Sequence, residues 1–349
     1  MLIFLASAAA ATPFAGAALP PIVVTSYRVR VREARTPLET RHAAPGERFR
    51  VATSDPQDPL DIGVAGTEFY GRARSEKGSV LSEQFAVQPD GFFALRDRYT
   101  ELVDSVLGRA RSGRPFVPAR VGGLPALRAD VALPDNKCAA LPPRIARVWI
   151  SSETFLPLRV EERIRSTGRV QQGATYTYDQ INAPVANKLF LPPPLAARPY
   201  RATSRFHRTS VAAAAAKLPY TPQMPSLLPP GFDLAVSGWA PRSGDTGAEA
   251  SIPPSPWLFG ASFRRGQERV DITQRADGRD WPDDPFGGEC QELRTEQVKI
   301  NGAAATYGIG PTISPHLYWR ASKVRYTVSG PFSRDDLVAI ASSLQPITP

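Results

Sequence analysis

Three histidines, two cysteines and one aspartate pair are the residues here whose types and spacing bear first on chemistry. His42, His207 and His316 stand far apart and match no metal-ligand spacing. H-E-x-x-H, G-x-S-x-G, the P-loop and the Rossmann glycine pattern are absent. "VSGPF" and "VSGWA" lack the second glycine of a nucleophile elbow. His207, in "RFHRTS", has no local group to make it a base and reads as a linker or surface residue. Asp283 and Asp284 sit in "DWPDDPFGG", where Pro and Gly favour a turn over a cation loop. Cys138 and Cys290 lie in "PDNKCAALPP" and "FGGECQEL". In an exported protein an even pair suggests one disulfide, and the alternative is two unrelated thiols. C-x-x-C is absent, which excludes a thioredoxin-like site and a zinc ribbon. The expectation is a chain that is not an enzyme, with no metal and no cofactor.

The elements around these residues are mostly strands. Thirty-six prolines and 26 glycines in 349 residues oppose long helices and favour short strands, turns and linkers. Hydrophobic residues make up 42% and charged residues 21%, enough to bury cores in two domains. "TFLPLRVEERIRSTGRV" (154–170) alternates Leu156, Leu158, Val160 and Ile164 against Arg159, Glu161, Arg163 and Arg165. That is a strand with one apolar and one charged face. "SYRVRVRE" (26–33) has the same pattern, and "GERFRVATS" (46–54) is its expected partner across a turn at "APG". Segment 55–68 reads as loop and 79–88 as a less regular strand. Residues 95–108 change period: Tyr99, Leu102, Val103, Val106 and Leu107 make a helical stripe, with Gly108 at the C′ position. Strands at 124–133, 144–151 and 173–182 complete a meander with the 154–170 segment.

"FLPPPLAARPY" fits neither sheet nor helix, and residues 192–226 read as an interdomain linker with one helical turn at the alanines. Beyond it, 231–240 reads as a strand and 257–266 with 268–276 as a hairpin. A second hairpin turns at Asn301-Gly302, and a third spans 316–330. Ser333 caps a last helix with Leu337, Ile340, Ala341 and Leu344 buried. The fold class is therefore α+β.

The N-terminus "MLIFLASAAAATPFAGAALPP" carries no charge through Leu19. It reads as a signal peptide over residues 1–21 with an A-x-A site at Ala15-Gly16-Ala17, or as an uncleaved N-terminal anchor. The net charge is +9. The arginines fall mostly at alternate strand positions, the pattern of solvated sheet faces, with an anion-binding stripe as the alternative. Nucleic acid is not an expected partner.

The segment "WISSETFLPLRVEERIRSTGRVQQGATYTYDQINAPVANKLFLPP" resembles the central strands of the LolA-like lipoprotein-carrier superfamily, which includes RseB/MucB-like envelope proteins. The likeness rests on Trp149, Thr154, Leu156, Pro157, Leu158, Arg159 and Glu161, followed by Tyr178, Asn182, Phe190 and Pro192. Residues 228–344 are similar to a small C-terminal domain found on some bacterial anti-sigma factors. The resemblance implies an antiparallel half-barrel β-sheet with a covering helix over 22–191, then a smaller antiparallel domain with a C-terminal helix over 227–349. It implies no catalytic residues. It implies an apolar hollow for a lipid or lipoprotein acyl chain, or a sensor surface for an anti-sigma factor or other envelope protein, in the periplasm or at the extracytoplasmic face of the membrane. Leu156, Leu158, Val160, Tyr176, Tyr178 and Trp149 are the candidate wall of that hollow, with Phe155 beside them, and ordinary core packing is the competing reading.

Overall fold

The computed structural model describes residues 20–33, 38–45, 48–53, 61–65, 68–74, 80–86, 100–111, 116–133, 142–190, 200–201, 206–240, 257–277, 294–310 and 314–347. Six strands come first: β1 (Tyr27–Glu33), β2 (Glu39–Ala44), β3 (Arg48–Thr53), β4 (Asp61–Ala65), β5 (Glu68–Arg74) and β6 (Val80–Ala86). Helix α1 (Thr100–Arg111) follows, then β7 (Val117–Val121), β8 (Leu124–Ala132), β9 (Arg144–Ser151), β10 (Pro157–Ile164) and β11 (Val170–Ile181). With β12 (Tyr200–Arg201) they form a twelve-stranded sheet in the order β12-β6-β5-β4-β3-β2-β1-β11-β10-β9-β8-β7. All its pairings are antiparallel except the short β12–β6 contact. Two meanders, β1–β6 and β7–β11, are thus zipped together along β1 and β11, where Val29 faces Tyr178 and Val31 faces Tyr176.

The apolar face of this sheet carries Val29, Val31, Ala146, Val148, Ile150, Val160, Ala174 and Tyr176. Helix α1 lays Leu102, Val103, Val106 and Leu107 on it. This is the expected half-barrel with its covering helix. Three local expectations are corrected. The hairpin partner of β1 is β2, and the "APG" turn joins β2 to β3 instead. Segment 55–68 was read as loop, yet it holds β4 and the start of β5, paired from Asp61–Arg72 to Ala65–Glu68. Helix α1 runs on through Gly108 to Arg111. A Cβ at Gly108 would come within 2.6 Å of Pro315 Cγ and 2.8 Å of the Phe332 carbonyl oxygen. The glycine thus serves a close approach between elements and does not end the helix.

The second half begins with β13 (His207–Arg208), the short helix α2 (Val211–Ala215) and β14 (Gln223–Pro225). There follow β15 (Asp233–Ala240), β16 (Leu258–Arg265), β17 (Glu268–Ala276), β18 (Arg294–Ile300), β19 (Ala303–Ile309), β20 (His316–Ala321) and β21 (Val324–Ser329). Helix α3 (Arg334–Ser342) and β22 (Leu344–Pro346) close the chain. An eight-stranded sheet runs β13-β15-β16-β17-β21-β20-β19-β18, and β14 pairs with β22. Its core joins Phe259, Ile272, Leu317 and Val328 to Leu337 and Ile340 of α3. Ser333 caps α3 in a full capping box with Asp336. Leu344 is buried as expected, but from β22.

Residues 206–226, within the stretch 192–226 read from sequence as linker, supply β13 of this sheet, α2, and β14 with its own pairing to β22. Ala214 of α2 is fully buried. The Tyr220 hydroxyl donates to the Gln274 carbonyl oxygen at 2.6 Å and accepts from the Phe259 N–H at 3.0 Å. Proline kept this stretch out of regular sheet, but its remaining backbone groups still found partners.

Candidate functional site

The predicted wall residues divide between two faces of the large sheet. Strand β10 places Leu158 and Val160 on the apolar side, and Val160 pairs across to Ala174 on β11. Two residues along β11, Tyr176 joins them, and Tyr178 lies one step nearer the sheet end. Their exposures are 4% for Leu158, 0% for Val160 and 5% for Tyr176. Tyr178 is half-buried and meets Tyr27 edge-on, with ring centroids 5.7 Å apart. Val160 and Tyr176 are packed in the cluster that α1 covers, which is the core reading of the apolar stripe.

Trp149 is a correction. It pairs with Arg159 on β10, so it lies on the outer, charged face, and the Arg159 guanidinium sits 5.3 Å from its ring centroid. The sequence had shown Trp149 alternating against Val148 and Ile150, and that alternation decides its side. Leu156 precedes β10 as a half-buried loop residue whose carbonyl accepts from the Ser151 N–H at 2.8 Å. Beside it Phe155 adopts φ 56°, a turn conformation that takes both residues out of strand alternation.

The outer face of β8–β10 is a lattice of charge pairs. Arg147 makes two hydrogen bonds to Asp130, at 2.8 and 2.7 Å, and these hold the Asp130 carboxyl below its ordinary range. Glu161, buried among charged neighbours, bridges Arg159 and Arg163. On the apolar side, Glu162 pairs with Arg144 at 2.9 Å. These are structural ion pairs, each satisfied within the sheet.

The other candidates do not converge. His42 is on β2, among arginines; burial first, then the charges of Arg28 and Arg50, hold it below the ordinary imidazole range, while Asp179 pulls the other way. His207 is an exposed residue of β13, as the surface reading expects; it pairs with Trp239 and stacks on it at 4.7 Å, and Trp239 stacks on Trp257 at 5.7 Å. His316 is buried in β20 with Nδ1 2.9 Å from the Ser314 carbonyl oxygen. Among the described residues no cluster of three His, Cys, Asp or Glu forms a metal site, and no helix is long and apolar enough to cross a membrane. Cys138, Cys290, Asp283, Asp284 and the leader through Leu19 lie outside the described residues.

Two functional-looking signature residues prove to be architectural. Asn182, at φ 55°, accepts from the Thr25 N–H at 2.8 Å and donates to the Val23 carbonyl at 2.9 Å. Phe190 is fully buried under the Arg48 guanidinium. The segment that Asn182 holds also meets the second sheet, since Gln267 donates to the Thr25 carbonyl at 2.9 Å. The contact between the two halves was not legible in sequence. It includes that bond, the Ser314 hydroxyl donating to Asp104 at 2.8 Å, and the Gly108 approach.

Residues 288–344 match a family described as a domain of unknown function, DUF4367. No curated protein matches the chain. Among solved structures, the chain is similar to MucB in complex with periplasmic MucA at 13% identity, 93% coverage of each chain and a TM-score of 0.29. It is similar to the Pseudomonas aeruginosa MucA/MucB complex at 12% identity, 97% coverage of each and a TM-score of 0.29. A LolA superfamily protein from Nitrosomonas europaea aligns at 11% identity with a TM-score of 0.19, over 52% of this chain and 94% of that one. At these scores the likeness is too slight to carry functional weight, which rests on the geometry.

Proposed function

We propose that this chain is a non-catalytic, exported protein of the bacterial cell envelope that acts by binding another protein, with an anti-sigma factor as the partner class. The observation that carries this is the end of the large sheet. Among the described residues strand β7 is the last in its order and has no strand on its outer side, and the β7–β8 hairpin exposes Val117 at 48% and Leu124 at 56% on one face. An open edge beside exposed aliphatic side chains is the surface to which an extended segment of a partner adds as a strand. The two halves are proposed as separate domains divided between Phe190 and Phe206.

The test is site-specific photocrosslinking from position 117 in cells, followed by identification of the adduct. The reading expects one dominant envelope protein, lost in Leu124→Asp with an unchanged melting temperature. A crosslinking pattern identical to that from a probe at Lys217 would overturn it.

A second reading, amphiphile binding, is favoured by the other flank of the apolar face. Phe49 and Val51 of β3 share that face with Val29 through Ala43 and Arg41, and both are half-buried. Arg41 and Glu39 form an ion pair there at 2.6 Å. This moves the acyl-chain wall from Leu158, Val160 and Tyr176 to β2 and β3. Each buried methylene of a ligand would contribute about 0.8 kcal/mol. Native mass spectrometry of detergent-free protein decides it: a bound lipid mass supports the hollow, and a clean apo mass removes it.

A further inference from the structure

The outer face of β1–β3 gathers positive charge. Arg28, Arg30 and Arg32 alternate along β1, with Arg30 and Arg32 exposed. Across β2, strand β3 adds Arg48 and Arg50 on the same side, since Arg28 pairs with His42 and His42 with Arg50. Arg48 and Arg50 donate to the neutral oxygens of Pro45, Asn187 and Leu189, which leave their charge in place. Among the described residues of β1, β2, β3 and β11, the one carboxylate on this face is Asp179, with Arg28 Nε at 3.8 Å and Arg30 Nε at 3.7 Å. Those are long, exposed pairs that neutralise little. His42 lies within the same field: burial first, then Arg28 and Arg50, lower its proton affinity, and Asp179 raises it. The neighbouring β8–β10 face differs, since Arg147, Arg159 and Arg163 are closed onto Asp130 and Glu161.

What lies between the arginines selects the partner. Thr40, Thr175 and Thr177 fill the face between the arginines by register, with no aromatic ring or large aliphatic side chain on that side among the described residues of β1–β3; the exposed Val170 of β11 lies beyond the end of β1, and Phe190, under Arg48, is fully buried. Specific protein interfaces are built around buried aromatic or aliphatic anchors, and this face offers none. A broad field of guanidinium groups fits a partner that is itself broad and anionic. We infer that this face adsorbs to the anionic headgroup surface of a phospholipid bilayer, holding the protein against the membrane while the β7 edge engages its partner. This rests on the envelope reading above for its setting but on different residues.

The test is flotation of the full chain with phosphatidylcholine vesicles, with and without phosphatidylglycerol. The inference expects phosphatidylglycerol to raise the bound fraction, and high salt to remove that increment. Arg30→Glu with Arg32→Glu should lower the phosphatidylglycerol-dependent affinity by about tenfold or more. Lys217→Glu with Lys299→Glu alters net charge equally on the second half and should leave most of the increment. Equal binding to both vesicle types overturns the inference in the unmodified chain, so it does not depend on a variant folding. Equal losses in the two double variants also overturn it, assigning the effect to net charge. Binding to polyglutamate with no phosphatidylglycerol increment would transfer the face to an acidic protein. A failed photocrosslink at position 117 would refute the partner reading and leave these outcomes intact.

Discussion

Replacing Asn182 should loosen the chain where it enters the fold, by an amount that three variants can divide. The side chain makes two hydrogen bonds to the backbone of residues 23 and 25, at 2.8 and 2.9 Å, from a left-handed conformation. Asn182→Gly keeps the backbone conformation and removes both bonds, together with the longer one at 3.2 Å that the Thr25 hydroxyl donates to the same Oδ1. Each is worth about 0.5–1 kcal/mol at an exposed site, so the loss is about 1–2 kcal/mol. Asn182→Ala removes the same bonds and adds about 1 kcal/mol for a Cβ at positive φ. Asn182→Asp keeps the acceptor for the Thr25 N–H and loses the donor to Val23, so it should fall between wild type and glycine. Urea denaturation gives the three values, and hydrogen exchange at the Thr25 amide locates them. Alanine no worse than glycine would refute the backbone part. Glycine as stable as wild type, with unchanged Thr25 protection, would refute the hydrogen-bond part.

Other expectations follow the same geometry. Gly108→Ala drives a methyl group against Pro315 and the Phe332 carbonyl, so it should destabilise by about 1–3 kcal/mol and increase protease cleavage between Phe190 and Phe206. In the β20–β21 turn, Ser322 and Lys323 both sit at positive φ, 50° and 63°. Replacing them with Asn-Gly should stabilise by about 1 kcal/mol, read as a raised melting temperature. Asp130 has its carboxyl lowered by the Arg147 hydrogen bonds. Its contribution is therefore full above the unfolded carboxylate pKa and is lost as pH falls through the lower folded value. The pair is partly exposed, so Asp130→Asn should cost less than about 1 kcal/mol at neutral pH and nothing measurable in strong acid.

Much of this fold is written at short range. The alternation in 158–164, the Asn301-Gly302 turn and the Ser333 cap each state their structure within a few residues and appear where those patterns place them, while the strand expected over 154–170 is shortened to Pro157–Ile164 by turns at both ends. Strand β4 was missed because Asp, Pro and Gly mask a five-residue strand whose evidence is its neighbours' hydrogen bonds. Gly108 was misread because glycine after a helical stripe has two causes, a C-cap or a close approach, and the second depends on residues more than 200 positions away. The apolar stripe of β10 and β11 was visible, but its occupant was not. Alternation marks a buried face without saying whether a helix or a ligand covers it, and here α1 supplies the cover over Val160 and Tyr176.

The seam between β1 and β11 sets the order in which this chain can be completed. Strand β1 enters early, yet one of its two neighbours is about 150 residues downstream. A chain threaded N-terminus first through a translocation channel would present β1 with β2 on one flank and a bare row of amide and carbonyl groups on the other. That edge closes only when "ATYTYDQI" emerges. Until then the first meander is a template for any passing strand, so the interval between the two emergences is when the nascent protein most needs a chaperone.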